Sequence, residues 1–166
     1  MLLAYLIYAG LRHQLDPLYT SWFAGLTLAL HELGHLIFMP LGSTLGLLGG
    51  SIMQLLAPLA AAIYLWRRQH DYFGLAVGGC WLSYSTWELA TYIGDASREQ
   101  LPLVGFGGNP QHDWAVLLTR WHLLNHDSTI AFLVRACALL TWAAAVTFAG
   151  WLCYRIRRSA SPQSRR

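Results

Sequence analysis

The sequence predicts an all-α protein: a polytopic membrane bundle of about four transmembrane helices, with a short N-terminal helix and a re-entrant or interfacial helix. Of the 166 residues, 55% are hydrophobic and only 11% are charged, whereas an ordinary soluble domain carries roughly 25% charged residues. Several apolar runs reach the ~20 residues that cross a hydrocarbon core. These runs use up most of the chain, so we expect a single transmembrane domain over residues 1–154.

The four predicted spans cover residues 19–42, 44–66, 72–93 and 128–154. Pro40 and Gly42 end the first span. Glycines 42, 46 and 50 recur every four residues, so we expect them to line a face of the second span that another backbone can approach closely. Residues 1–10 are apolar but too short to cross a membrane, which predicts an interfacial or packed helix rather than a signal peptide.

Residues 94–127, between the third and fourth spans, are less hydrophobic and predict a short amphipathic helix. Asn109 followed by Pro110 is typical of an N-cap and a first helical residue. An apolar stripe would let this helix dip into the bilayer; it comprises Trp114, Leu117, Leu118 and Trp121. A glycine cluster before the helix is a candidate mobile gate, formed by Gly105, Gly107 and Gly108. Asp127 is the expected N-cap of the last span.

The basic residues predict the orientation in the membrane. All eleven are arginines, and positive charge favours the cytoplasmic side. Placing the Arg67–Arg68 turn and the basic tail, residues 155–166, inside puts both termini in the cytoplasm and segment 94–127 outside. This distribution argues against a nucleic-acid-binding surface. The three cysteines, Cys80, Cys137 and Cys153, lack metal-site spacing, and we interpret them as packing residues.

The first span contains His31-Glu32-Leu33-Gly34-His35, an H-E-x-x-H pattern. Two imidazoles one helical turn apart can bind a single zinc ion, and the glutamate can act as general base. With seven histidines and three glutamates, chance alone gives about 0.005 such matches. The alternative is that these side chains only hydrogen-bond within a bundle. Because an ionisable residue near the centre of a span costs about 2.5 to 3.5 kcal/mol, a function is favoured.

With this motif in a transmembrane helix, the sequence resembles the site-2 protease family of intramembrane zinc metalloproteases. The resemblance implies a third zinc ligand, an aspartate that follows an Asn-Pro pair within a Leu-Asp-Gly sequence. Here the nearest match is the run from Asn109 to Trp114, NPQHDW, in which Asp113 corresponds to the ligand. His112 and Trp114 replace the flanking residues, which makes His112 a rival ligand. Asp113 could also be an ordinary solvated acid in a first helical turn.

Other polar residues are candidates for supporting roles. Glu88 could accept a hydrogen bond from a zinc-bound imidazole or pair with Arg135. Gln54 could bind substrate backbone or bridge helices, and Asn109 is a further candidate at the site. His122 and His126, four residues apart, give a weak indication of a second metal site.

The sequence therefore predicts a zinc-dependent membrane metallopeptidase that cleaves a membrane or membrane-adjacent protein. Zinc would be held by His31 and His35 with Asp113 or His112, and Glu32 would be the catalytic base. The expected partners are a protein or peptide substrate and the lipid bilayer, while the oligomeric state is open. The alternative is a non-catalytic zinc-binding sensor or partner-binding protein. A zinc transporter is a third hypothesis, although one histidine pair and a single acid-bearing loop provide few ligands for a transport pathway.

Overall fold

A computed structural model describes residues 1–16, 18–103 and 111–159. Within these ranges the regular structure is entirely helical, which confirms the all-α prediction. The α-helices are α1 (Leu2–Leu15), α2 (Phe23–Phe38), α3 (Ser43–Gln69), α4 (Tyr72–Gly94), α5 (Asp113–Arg120) and α6 (Asp127–Ser159). Short 3-10 helices, Met39–Leu41 and Leu124–His126, follow α2 and precede α6.

Three helical segments are long and apolar enough to cross a membrane: Phe23–Leu41, Ser43–Gln69 and Leu124–Ser159. They correspond to the first, second and fourth predicted spans. The third predicted span forms α4, which has 23 residues but is not among these three. The position of α4 accounts for its polarity, because α1, α3 and α6 all pack around it. A helix enclosed by protein needs fewer apolar side chains than a helix that faces lipid.

The bundle is arranged around α3 and α4. Helix α6 packs along α4, α2 packs along α3, and α1 packs mainly on α4. One buried cluster joins α4, α5 and α6 and comprises Leu89, Ile93, Ala96, Ala115, Leu118 and Ala131. A second cluster joins α1, α4 and α6 and comprises Leu6, Cys80 and Ala145. The N-terminal helix is therefore a packed helix, one of the two possibilities predicted.

Glycines bring α2 and α3 into close contact. A Cβ on Gly34 of α2 would overlap the carbonyl oxygen of Gly49 on α3. Gly50, one residue further along α3, lies against the histidine rings of α2. Gly42 departs from the prediction, since no atom lies near its missing Cβ and, with a φ of 106°, it is the non-helical N-cap residue of α3. The small-residue face is real, but it begins after Gly42.

Other details of the prediction need correction. Helix α2 begins at Phe23 rather than at residue 19, because the Ser21 hydroxyl accepts a hydrogen bond from the Phe23 N–H and the chain before it is not helical. Helix α6 continues to Ser159, so residues 155–159 of the expected tail are helical. Cys80 is buried, as a packing residue should be, but Cys137 and Cys153 are exposed on α6.

Candidate metal centre

His31 and His35 lie one turn apart on α2, on the side that faces α3. Their ring centroids are 4.8 Å apart. A Cβ built on Gly50 of α3 would lie 2.5 Å from His31 Nε2 and 2.6 Å from His35 Nε2. The two Nε2 atoms therefore point at one small space, and that space is open because residue 50 has no side chain.

Asp113, the first residue of α5, also lies at this space, although it is distant from both histidines in the sequence. Its Oδ2 atom lies 3.2 Å from His31 Nε2 and 3.2 Å from His35 Nε2. Tyr92 of α4 fixes the aspartate twice, because its hydroxyl donates to Asp113 Oδ2 at 3.3 Å and accepts from the Asp113 N–H at 3.0 Å. The structure thus brings together the two histidines of the motif and the predicted third ligand.

Packing on the bundle holds α5 in this place. The Trp114 indole N–H donates to Ser51 Oγ on α3 at 3.0 Å. Leu117 and Leu118, from the predicted apolar stripe, are almost completely buried, whereas Trp121 at its end is exposed. The start of α5 is therefore held against α3 and α4, where Asp113 can meet the histidines.

Hydrogen bonds on the outer side of each ring determine which nitrogen carries the proton. The Gln54 amide donates through Nε2 to the Ser85 carbonyl at 2.9 Å, which leaves its Oε1 facing His31 Nδ1 at 2.9 Å. Because Oε1 can only accept, His31 Nδ1 must be the donor. His35 Nδ1 donates to the Gly46 carbonyl at 2.8 Å in the same way. In the neutral rings, both Nε2 atoms therefore carry lone pairs.

With both rings neutral, the centre gathers two imidazole lone pairs and a carboxylate oxygen. Each lone pair would then repel the Asp113 Oδ2 atom 3.2 Å away, so the arrangement requires a cation, either an additional proton on a ring or a metal ion. Ligand atoms bound about 2.0 to 2.1 Å from a tetrahedral zinc ion lie about 3.3 Å apart. The ligand types and their spacing therefore fit zinc.

Glu32 completes the group of potential metal-binding side chains. One of its carboxylate oxygens and one ring nitrogen from each of His31 and His35 lie within 4.8 Å of one another. Glu32 is half-buried and lines the same cavity of about 740 Å³. Since Asp113 Oδ2 already lies against both Nε2 atoms, the position of Glu32 beside them suits a base that acts on water.

His112, the rival ligand, has a different place. Its Nδ1 accepts a hydrogen bond from the Ala115 N–H, so it is the N-cap of α5. Its Nε2 lies 3.7 Å from Asp95 Oδ2, and its ring stacks on Tyr92. Burial lowers the pKa of His112, against a smaller opposite effect of Asp95. His112 therefore caps α5 through Nδ1, and of the two alternatives for the third ligand the structure brings Asp113 to both histidines.

The expected start of α5, with Asn109 as N-cap, was wrong. The helix begins at Asp113, with His112 rather than Asn109 as N-cap. Asn109, Pro110 and the glycines proposed as a gate lie outside the described residues. The expected cap at Asp127 is close to the observed geometry: α6 begins at Asp127, whose carboxylate accepts from the Ser97 N–H and from the Ser128 hydroxyl.

Glu88 and Gln54, the polar candidates within the predicted spans, both hydrogen-bond to other side chains of the bundle. Glu88 lines the cavity, and its Oε1 accepts a hydrogen bond from the Tyr84 hydroxyl at 2.8 Å. No ion pair between Glu88 and Arg135 is present in the described part of the chain. Both ends of the Gln54 amide are engaged by protein, so it bridges α2, α3 and α4, one of the two alternatives predicted.

The second metal site receives no support. His122 and His126 are exposed, and within residues 1–16, 18–103 and 111–159 the His31–Glu32–His35 group is the metal-competent cluster. The glycine spacing predicted a close helix contact at Gly50, but sequence reasoning missed the contacts of Tyr92 with Asp113 and the two backbone carbonyls, those of Gly46 and Ser85. Comparison of the chain with protein-family models, curated proteins and solved structures found no match.

Proposed function

We propose that this protein is a membrane-embedded zinc metallopeptidase that hydrolyses a peptide bond in a membrane or membrane-adjacent protein. One observation carries the proposal: two imidazole lone pairs and a carboxylate oxygen converge at 3.2 Å, with a second carboxylate, Glu32, beside them. His31, His35 and Asp113 are the ligands in this proposal. A structural zinc site is closed by four protein ligands, whereas three ligands leave a position for water or substrate.

The side chains at the site have separate tasks in this reaction. When bound, zinc supplies a Lewis acid that polarises the scissile carbonyl and makes water more acidic. Glu32 takes the proton from the attacking water and then delivers it to the leaving amine. Gln54 and the Gly46 carbonyl keep the two rings oriented, and Tyr92 holds the third ligand. Because binding alone does not require Glu32, its presence favours catalysis over a purely zinc-binding role.

The cavity wall suits an apolar chain. Its lining includes several aliphatic side chains from α2, α3, α4 and the segment after α4, among them Leu28, Leu36, Leu47, Leu89, Leu101 and Leu103. Helices α2 and α4 both pack on α3, and the cavity lies between them. A peptide segment drawn from a membrane protein would have the apolar side chains that these walls accept. The resemblance to the site-2 protease family favours the same substrate class.

We further propose that α4 also crosses the membrane, which brings the number of spans to four, and that both termini are cytoplasmic. Helix α4 is long enough at 23 residues. With this topology, His35 lies seven residues before Gly42, about 10 Å below the exoplasmic surface at 1.5 Å per residue. Water and substrate would then reach the centre from the exoplasmic side, where α5 and the segment before it lie.

The experiment compares membranes that contain the wild-type protein with membranes that contain Glu32→Gln. New peptide termini are mapped by mass spectrometry, and zinc content is measured on each purified protein. We expect wild type to generate new termini and Glu32→Gln to bind as much zinc while generating none. Glu99→Gln, at an exposed glutamate away from the cavity, is the matched control and should behave like wild type.

Three outcomes contradict the proposal. If Glu32→Gln generates the same termini at the same rate as wild type, the proposed role of Glu32 is wrong. If wild type binds zinc and no terminus depends on Glu32, the sensor or partner-binding alternative replaces the enzyme. Zinc uptake into sealed vesicles that depends on His31 would instead favour transport.

A further inference from the structure

Arg120, the last residue of α5, lines the same cavity as the proposed zinc ligands. Its Nη1 donates to the Ser43 hydroxyl at 3.1 Å, and the side chain is exposed. Among the described residues, no carboxylate forms an ion pair with Arg120. The guanidinium has five N–H donors, so a neutral hydroxyl leaves most of its hydrogen-bonding capacity and all of its charge available to a ligand.

The helix sets the distance between this cation and the metal centre. Asp113 and Arg120 are seven residues apart on α5, which is almost two full turns, so they lie on nearly the same face. The separation along the helix axis is about 10.5 Å. An extended peptide advances about 3.3 to 3.6 Å per residue. Arg120 is therefore about three residues away from a peptide bond placed at the centre.

The charges in the cavity are unevenly distributed. The metal end contains three carboxylates, those of Glu32, Glu88 and Asp113, while Arg120 is the cation in the described lining. A substrate that placed a positive charge beside Arg120 would be repelled, and one that placed a carboxylate there would form a charge-assisted hydrogen bond. The planar guanidinium can form two parallel hydrogen bonds with one carboxylate.

We infer that Arg120 binds a carboxylate of the substrate about three residues from the scissile bond. This inference rests on the proposed function and adds a preference for substrates that carry negative charge at that distance. Either an acidic side chain or a free C-terminal carboxylate would provide the same chemistry. A competing role for Arg120 is purely structural, through its link to Ser43.

The test measures binding and requires no known substrate. Alkyl hydroxamates bind zinc at one end and carry either a carboxylate or a primary amide at the other, with the ends about 5 or about 10 Å apart. Calorimetry on the zinc-loaded full chain in detergent gives each dissociation constant. We expect wild type to prefer the 10 Å carboxylate to its amide by about tenfold, since hydrogen bonds to charged groups are the stronger class. The 5 Å pair should differ little.

Variants assign the preference to Arg120. Arg120→Gln should bind the 10 Å carboxylate and amide equally, and Arg120→Lys should keep part of the preference. Arg98→Gln, at an exposed arginine outside the cavity lining, is the control and should keep all of it. Two tripeptide hydroxamates, one with a glutamate side chain and a blocked terminus and one with only a free terminus, then identify the source of the carboxylate.

The outcomes separate this inference from the proposed function. If the amide binds wild type but the carboxylate binds no better, or if the preference survives in Arg120→Gln, the inference is wrong while the zinc centre stands. Loss of both amide and carboxylate binding in Arg120→Gln would assign Arg120 a structural role instead. If no hydroxamate binds wild type at any length, the zinc centre fails, and the inference falls with it.

Discussion

Gln54 holds the imidazole of His31 in one orientation, with Gln54 Oε1 2.9 Å from His31 Nδ1. The amide itself is fixed, because its other end donates to the Ser85 carbonyl. A neutral amide on α3, oriented by the backbone of α4, thus determines which nitrogen of a histidine on α2 is free to bind a cation. Outer partners of this kind set both ring orientation and ligand basicity.

Gln54→Leu should weaken zinc binding by about 10- to 100-fold, the usual effect of losing such a partner. The variant removes the acceptor for His31 Nδ1 but leaves all three proposed ligands in the chain. Chelator competition measures the affinity. Gln69→Leu, at an exposed glutamine near the end of the same helix, is the control. Equal zinc affinity in Gln54→Leu and wild type would remove Gln54 from the centre.

Gly50→Ala should abolish zinc binding. The new Cβ would lie 2.5 and 2.6 Å from the two histidine Nε2 atoms, so it would occupy the space on which the ligands converge. Gly25→Ala on α2 has no atom within 4 Å of its Cβ and should bind zinc normally. Zinc content and circular dichroism are measured for both variants. Normal zinc content in a folded Gly50→Ala protein would mean that the metal lies elsewhere.

Asp113→Ala and His112→Ala should have different effects. Asp113→Ala removes a proposed ligand, and we expect zinc affinity to fall by more than about 100-fold, beyond the range for outer partners. His112→Ala removes the N-cap of α5 and should cost about 1 kcal/mol of stability with a smaller change in affinity. Chelator competition and thermal unfolding measure the two quantities. The reverse pattern would make His112 the ligand.

Membrane topology is tested with reporters. Reporters inserted between α3 and α4 and fused after Arg166 should be cytoplasmic, and one inserted between α4 and α5 should be exoplasmic, because α4 and α6 then both cross the membrane. Protease protection in sealed vesicles distinguishes the two sides. If the two reporters that flank α4 lie on the same side, α4 does not span, and an exoplasmic C-terminus would reverse the proposed orientation.

Sequence reasoning was most successful where the chemistry is local. His31, Glu32 and His35 lie within one helical turn, so their spacing alone predicts a shared face. Asp113 was found only through the resemblance to a known family, since nothing in a single sequence links residues 82 positions apart. The hydrogen-bond partners of His35 and Gln54 could not be predicted in this way. Gly46 and Ser85 act through backbone carbonyls, which every residue has.

The errors have physical causes as well. Asn109 and Pro110 are strong helix-start signals, yet α5 begins at Asp113 because the His112 ring supplies the cap. Histidine is not among the residues that usually cap helices, so nothing in the sequence indicated this role for His112. The polarity of α4 depends on three helices that enclose it. Which helices enclose α4 depends on the tertiary fold, so the hydropathy of the α4 segment alone cannot predict it.

The zinc content of the purified protein tests the central claim most directly. Wild type and His35→Ala are purified in parallel without chelators, and metals are measured by elemental analysis. We expect about one zinc per wild-type chain, as a site of two histidines and one aspartate with an open position requires, and essentially none in His35→Ala. Wild-type protein that is folded but binds no zinc, even after zinc is added, would contradict both the metal centre and the proposed enzyme.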